Sequence, residues 1–360
     1  MKRLPLHEFH VSHEARWAEI NHWILPAHYG DPAVEIERAK NSVVLLDRSY
    51  LGKVKLSGPD TIDFLNHTST NDMHCLFAQT VCDTVFSTPQ GKIVDYCRTL
   101  HLIPDVLLVS SFMDSKHILS WLERLQLTET VDIADASEGF LWLTLIGPQS
   151  ISLIESCSGH AISIKDDTVW LKNGESEFPA LRNDNFMVPA YNLCLPTENS
   201  TSLVDWIVEE MNQFNGVLIG EEAFQIIRVE SGMPDWGTEL TEEYNPHEAR
   251  LLNAVSFTKG AYTGQEVIAR LDTYGTVQKY LMIVDIFGQL DEPPPVKIAY
   301  NHQIIGTLTS YAFDPISQQH VGLGYVDRTY TVDGLNLKVD ILTRNYSIPA
   351  RLRIPPSASI

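Results

Sequence analysis

No stretch of the chain approaches the roughly 18 consecutive apolar residues that a membrane-spanning helix needs, so membrane association through a helix is not expected. The opening Met1–Trp17 segment, MKRLPLHEFHVSHEARW, has basic residues but no apolar run after them. That pattern argues against a secretory signal, and its acidic residues argue against a transit peptide; the expectation is a cytoplasmic, reducing setting. Positive charge is scarce. With 26 Lys and Arg against 46 Asp and Glu, the net charge is −20, and such a surface repels nucleic acid and anionic membranes. A small anionic ligand is still compatible, because screening over about 8 Å lets a few local cations govern one pocket.

Cysteine is sparse and unpatterned. Cys75, Cys82, Cys97, Cys157 and Cys194 include no C-x-x-C pair, which argues against a disulfide framework and a locally built zinc or iron–sulfur site. Each reads as a small core residue. The thirteen histidines show no H-x-x-x-H or H-E-x-x-H spacing. His7, His10 and His13 recur every third residue without a cysteine partner, so no metal site is assigned. A G-x-S-x-G elbow and a Walker loop are also missing.

At 360 residues and 44% apolar content the chain can fill two or three packed units. One internal echo is visible: Lys55–Leu65 resembles Thr144–Ile154, each reading as strand, Gly-Pro, then amphipathic helix. Further strands are expected at Thr84–Ser87, Lys92–Leu102, Val106–Ser110, Val131–Ala134 and Phe140–Ile146, giving an α+β body of two related halves. Ala15, Ala18, Ile20 and Trp23 are loosely at helical spacing, so a helix from Ser12 is expected to end before Pro26, with a second at Ala33–Asn41. Beyond Asp291-Glu292-Pro293-Pro294-Pro295 come short β-rich runs at Val296–Tyr300, Ile304–Ser310, His320–Val326, Leu335–Ile341 and Ala350–Ile354. They read as a small antiparallel barrel or sandwich, with a frayed tail over Pro355–Ile360. The expected division is a body over residues 1–284 and a β domain over 285–360.

The most patterned stretch is Ser256–Leu271, SFTKGAYTGQEVIARL. Thr263 with Glu266 three residues later has the form of a capping box, and Gly260 and Gly264 give turn freedom. On that ground alone the stretch starts a helix. Two other segments suggest more: Arg228–Gly237 runs from an arginine into a turn, and Thr88–Asp95 takes a Pro/Gly turn into a strand bearing Asp95. Together they could hold a flat, polar, anionic ligand, with Arg clamping a carboxylate or ring oxygen and Asp accepting from N–H donors. Spacing alone favours the plainer reading, that Arg228 and Asp95 are separate solvated charges.

Lys259-Gly260-Ala261-Tyr262-Thr263-Gly264-Gln265-Glu266 resembles the K-G-C-Y-x-G-Q-E signature of the YgfZ family of folate-binding proteins, relatives of the glycine-cleavage T-protein. The likeness extends along the chain. Trp23, Pro26 and Tyr29 resemble the T-protein W-x-x-P-x-x-Y segment, and Leu56–Pro59 to Thr70-Asn71-Asp72 its strand, helix and T/A-N-D turn. Arg228–Met233 resembles R-x-E-x-G-M/I, while Gly306–Ser310 and Gly322–Val326 resemble terminal barrel motifs. The resemblance implies two related α/β lobes plus a C-terminal antiparallel β-barrel, arranged as a three-lobed ring with tetrahydrofolate in a central channel. Asp95 is the implied catalytic carboxylate, with Tyr96 the competing alignment. Arg228, Asn192, Tyr96, Trp236, Lys259 and Tyr262 are the implied folate-binding residues.

Ala261 replaces the signature cysteine, Asn192 stands where the T-protein has a glutamate, and Tyr96 breaks a paired Asp-Asp. The leading expectation is a tetrahydrofolate-binding protein supporting iron–sulfur enzymes, with iron–sulfur proteins as clients. The alternatives are a folate-dependent aminomethyl- or methyltransferase and a non-catalytic relative acting through protein binding.

Overall fold

A computed structural model of the chain describes residues 1–76, 81–163, 166–331 and 337–356. They form a mixed α/β fold in two compact units. The first comprises Met1–Leu65, Met73–Cys82 and Cys97–Phe224; the second comprises Asn66–Asp72, Asp83–Tyr96 and Gln225–Ile360.

In the first unit, the strand Phe140–Ile146 pairs antiparallel with Ala190–Pro196 on one side and Val44–Asp47 on the other, inside a six-stranded sheet. Its apolar run is continuous because both faces are covered. Leu141, Leu143 and Leu145 join a core with Leu153 and Ile154 of the helix Ser150–Ser158 and Leu203, Val204, Ile207 and Met211 of the helix Ser200–Asn212. Trp142 turns the other way, into a core with Tyr50, Leu107 and Cys194. Each fully buried aliphatic of this kind contributes roughly 1.5–3 kcal/mol.

The internal echo is real at the level of structure. Lys53–Ser57 leads through Gly58-Pro59 into the helix Thr61–Thr68, and Phe140–Ile146 leads through Gly147-Pro148 into Ser150–Ser158. Both glycines have positive φ, +122° and +133°, and a Cβ on either would stand 2.3 Å from a backbone oxygen, Thr130 O and Ser42 O respectively. One tight turn is therefore used twice for the same steric reason.

The N-terminal expectation is overturned. Arg16–Ile20 and Trp23–His28 are antiparallel strands, and no helix runs from Ser12 toward Pro26. Asn21 and His22 both have positive φ, +46° and +68°, the signature of a two-residue type I′ hairpin turn. Pro26 is tolerated because it faces Trp17, next to a register shift in the partner strand. The second helix is present as Pro32–Asn41, with the Asp31 side chain accepting from Ala33 N and Pro32 at its first turn.

In the second unit the β-rich C-terminal region closes into a six-stranded antiparallel barrel: Lys279–Ile286, Gln319–Asp327, Gln303–Asp314, Val296–Tyr300, Lys338–Leu342 and Ser347–Arg353, the last pairing back to the first. The start of the expected strand Leu335–Ile341 lies outside the described residues, as do positions 357–360 of the tail. Pro355 is buried against Gly232 rather than frayed. The cysteines do not all serve as core. Cys97 and Cys194 are buried and Cys75 is exposed; burial pushes the Cys194 thiol up to about 12.

The repeated turn yields a measurable expectation. Gly147→Ala should lower stability by roughly 3 kcal/mol or more, combining backbone strain with overpacking. Gly174→Ala, at φ +62° with nothing within 4 Å, should cost about 1–2 kcal/mol. Urea denaturation of the two variants checks this, and equal midpoints would contradict the close-approach argument.

Candidate functional site

The patterned segments converge in the second unit, on the outer surface of the barrel. Met282, Val284 and Ile286 of Lys279–Ile286 fill the barrel interior. Leu281 and Ile283 point the other way, joining Leu323 and Tyr325 in a core with Val85, Ile93, Val229, Leu240 and Tyr244. The strand alternation thus anchors both the Thr88–Asp95 and the Arg228–Gly237 segments on one apolar floor.

Two motif loops touch through glycine. Between the strands Val81–Ser87 and Ile93–Leu102, Gly91 N donates to Thr88 O at 2.8 Å and Thr88 N to Lys92 O at 2.9 Å. Gly264, at φ +84°, packs onto this turn so closely that a Cβ would lie 2.6 Å from Thr88 O, 2.7 Å from Ser87 Oγ and 3.2 Å from Gly91 Cα. The helix Gln265–Tyr274 starts here with Gly264 as its N-cap and no side-chain capping bond. The expected capping box is therefore absent. A left-handed glycine takes the cap position because only a residue without Cβ fits against the turn, and Thr263 instead offers its carbonyl to Ser87 Oγ at 2.7 Å.

A connected polar array surrounds this junction. Lys259 Nζ donates to Ser69 O at 2.7 Å and Asn71 O at 2.5 Å, and lies 5.0 Å from the centre of the Tyr262 ring. Asn71 Nδ2 donates to Asp83 O at 2.8 Å, and Tyr96 OH donates to Asp83 Oδ2 at 2.7 Å. Thr70 Oγ1 donates to Ala254 O at 2.6 Å, fastening the same loop to the chain before Lys259. Tyr262 is buried with Val255 and Ile268, while Ala261 is exposed. Asp95 is fully buried; the pleat sends it and its neighbour Tyr96 to opposite faces of the strand. Three of the expected residues, Tyr96, Lys259 and Tyr262, are brought together with Asn71 and Asp83, neither of which was singled out as a site residue from the sequence.

Arg228 belongs to a second network. The residue is 2% exposed, and four of its five side-chain N–H groups are engaged: Nε with Gln225 Oε1 at 3.0 Å, Nη1 with Met233 O at 3.0 Å and Glu239 Oε2 at 3.1 Å, and Nη2 with Ser310 Oγ at 3.2 Å. Glu239, fully buried, accepts further bonds from Asp235 N, Thr238 Oγ1, Thr309 Oγ1 and Ser310 Oγ. The arginine is thus an internal partner of Glu239, tying its helix to the barrel strand Gln303–Asp314. Trp236 sits half-buried in the turn this network holds, its backbone N donating to Asp235 Oδ1 at 2.9 Å. Glu239 was not anticipated; the adjacent hydroxyls Thr309-Ser310, both buried in the strand Gln303–Asp314, are the partners that mark it.

Asn192 lies in the first unit, buried in the strand Ala190–Pro196, where its Oδ1 accepts from Thr144 Oγ1 at 3.1 Å and Asn183 Nδ2 at 3.3 Å. His10 is also in the first unit, bonded to Asp47 Oδ2 at 2.9 Å and Tyr29 OH at 2.7 Å. Among the described residues no three His, Cys, Asp or Glu side chains converge as a metal site, and no helix is long and apolar enough to cross a membrane.

Residues 6–259 match the family model described as the GCVT N-terminal domain. An aminomethyltransferase of Caldanaerobacter subterraneus subsp. tengcongensis is 24% identical over 357 residues, covering 97% of this chain and 94% of its own. A chloroplastic Arabidopsis thaliana protein with a provisional transferase name is 27% identical over 328 residues, covering 89% of this chain and 74% of its own. In fold, the chain is similar to the crystal structure of glycine cleavage system aminomethyltransferase T from Bartonella henselae, with a TM-score of 0.83 over 99% of this chain and 98% of that one at 19% identity.

The two networks predict different responses. Arg228→Ala leaves the Glu239 carboxylate buried without its cation and should cost about 3–5 kcal/mol; adding Glu239→Gln should recover part of that loss in urea denaturation. Tyr262 gives a pH signature. Burial pushes its hydroxyl up to about 12, whereas an unfolded tyrosine ionises near 10 (about 10). The folded state holds the proton longer, so this stabilisation is complete below about pH 10 and fades as pH rises toward 12. Tyr262→Phe should flatten the alkaline fall in unfolding midpoint, and an unchanged slope would contradict the assignment.

Proposed function

Because the chain belongs to the GCVT family, we propose that it binds a reduced folate, tetrahydrofolate, and acts in folate-dependent one-carbon chemistry. The observation that carries this reading is the array Tyr96–Asp83–Asn71–Lys259 beside the exposed Ala261, assembled by the segments whose motifs resemble folate-binding relatives. A pterin ring presents N–H donors and carbonyl acceptors in one plane, and carboxylate, phenol and amide groups along one loop junction complement it. Asp95 is the proposed acid–base carboxylate, with Tyr96 as the residue that orients the ring if the roles divide between the two faces of the strand. Trp236 and Asn192 are proposed as further ligand contacts. Arg228 is proposed to act on the ligand through the Met233–Gly237 turn that it holds.

The finer reading is a YgfZ-type protein, a three-lobed ring with folate in its channel, serving iron–sulfur proteins in a reducing, cytoplasmic setting. Its support is the K-G-x-Y-x-G-Q-E match. Ala261 removes the thiol of that signature, and only a thiolate attacks or ligates at neutral pH, so the proposed role does not pass through sulfur at this position. The second reading, aminomethyl transfer, is supported by relatives named aminomethyltransferases that this chain covers over 94–96% of their length.

Calorimetric or tryptophan-quenching titration with tetrahydrofolate tests the shared core of both readings, and absence of saturable binding would overturn it. Tyr96→Phe, which loses the bond to Asp83, should weaken binding by about 1–2 kcal/mol. Asp95→Asn should suppress transfer of an isotopically labelled one-carbon unit more than it weakens binding. A labelled unit delivered to an aminomethyl acceptor would favour the second reading. Ala261→Cys should react with a thiol reagent in the native protein; labelling only after denaturation would place the residue away from any accessible site.

A further inference from the structure

A cleft of about 250 Å³ lies in the second unit, lined by residues that include Tyr244, Lys279, Ile305, Thr307, Tyr325 and Asp327. That is below the roughly 300–1,000 Å³ of pockets for drug-sized ligands, a size that matches a molecule smaller than a folate. Tyr244 and Tyr325 stack with centroids 3.5 Å apart and planes inclined by 14°. Lys279 Nζ lies 4.9 Å from the Tyr244 ring centre. Among the described residues, its ammonium has no carboxylate within salt-bridge distance and donates no hydrogen bond. Every other buried or half-buried lysine among the described residues has a polar partner: Lys53 and Lys259 donate to backbone carbonyls, and Lys55 and Lys92 lie within 4 Å of carboxylates. Asp327 stands directly opposite Lys279 in the register of the two strands; one of its oxygens accepts from Thr329 N at 2.9 Å. The contrast is the larger cavity of about 680 Å³ in the first unit. There Lys55 already lies 3.4 Å from Asp105, and Asp135 is taken up by Ser137.

We propose that the Lys279–Asp327 cleft binds a free amino acid with an apolar side chain. The ligand carboxylate meets the Lys279 ammonium, its ammonium meets Asp327, and its side chain lies along the edge of the stacked Tyr244–Tyr325 pair. A simple anion is opposed by Asp327 and a simple amine by Lys279. A zwitterion satisfies both charges at once, and the volume suits a ligand of that size. The site goes beyond the folate reading and does not depend on it.

Saturation-transfer NMR on the full chain, without folate, tests this with L-leucine, 4-methylpentanoate (leucine lacking the amine) and isopentylamine (leucine lacking the carboxylate). Leucine should bind saturably, and each analogue roughly tenfold more weakly, as expected for one lost charge-assisted contact. Lys279→Met should reduce leucine to the affinity of isopentylamine, and Asp327→Asn should reduce it to that of 4-methylpentanoate, both with unchanged melting. Asp327 is exposed, so its variant remains a clean test if Lys279→Met disturbs the packing over Tyr244. Equal affinities for the three compounds, no saturable binding of leucine, or leucine affinity unmoved by Asp327→Asn would each overturn the proposal. Failure of folate binding would leave all of these outcomes unaffected.

Discussion

A single buried carboxylate organises the second unit. Glu239 has no solvent exposure, and an isolated charge in that setting costs several kcal/mol. It is tolerated because both of its oxygens are saturated: Thr309 and Ser310 hydroxyls on one, and Arg228, Thr238 and the Asp235 amide on the other. Its own backbone oxygen accepts from Tyr325 OH at 2.8 Å. These partners come from a helix, the turn after it and two barrel strands. Without this carboxylate, the Arg228 guanidinium and the Thr309-Ser310 pair would be buried without their shared acceptor. The turn bearing Trp236 would also lose its attachment to the barrel.

The loops that carry the patterned segments depend on that attachment through packing. Val229 and Leu240 flank the Glu239 network in sequence and share a core with Val85 and Ile93, which bracket the Ser87–Lys92 turn. That turn receives Gly264, and Gly264 sets where Ala261 and Lys259 emerge. The chain of dependence runs from a buried charge, to an apolar floor, to a glycine contact of van der Waals closeness, and then to the polar array. Ala261 sits three residues before that contact, on the exposed side of the loop. Its small side chain is therefore not part of the packing that fixes the junction.

Much of this was legible in the sequence, and the rest was not, for identifiable reasons. Strands buried on both faces, such as Phe140–Ile146, announced themselves as apolar runs, and the barrel strands as short runs punctuated by Gly, Asp and Asn. The Gly58 and Gly147 turns could be read because their Gly-Pro pairs recur. The N-terminal hairpin was missed because its turn uses Asn21-His22, with no glycine or Asp-Gly pair to mark it. The capping box was misread because Thr-x-x-Glu is a local pattern, while the position of Gly264 is fixed by a turn about 175 residues earlier in the chain (roughly the Thr88–Gly264 separation). Glu239 was invisible for a related reason: a carboxylate in a polar stretch looks solvated until the hydroxyls that bury it are brought up by the barrel.

The scarcity of cations acquires a structural meaning in this light. Arg228 is consumed by Glu239 and Met233 O, and Lys259 by Ser69 O and Asn71 O. In the first unit, the fully buried Lys53 gives its ammonium to Ser49 O and Leu51 O at 2.9 Å each, with burial drawing its pKa down to about 8. Cations that a composition-based argument would assign to an anionic ligand are instead spent on backbone carbonyls and one carboxylate. A ligand held in the second unit at the Tyr96–Asp83–Asn71 junction would therefore be recognised chiefly by directional hydrogen bonds to its ring edge. Such recognition is weakly dependent on salt, because no exposed ion pair has to form. It discriminates by donor and acceptor pattern rather than by net charge.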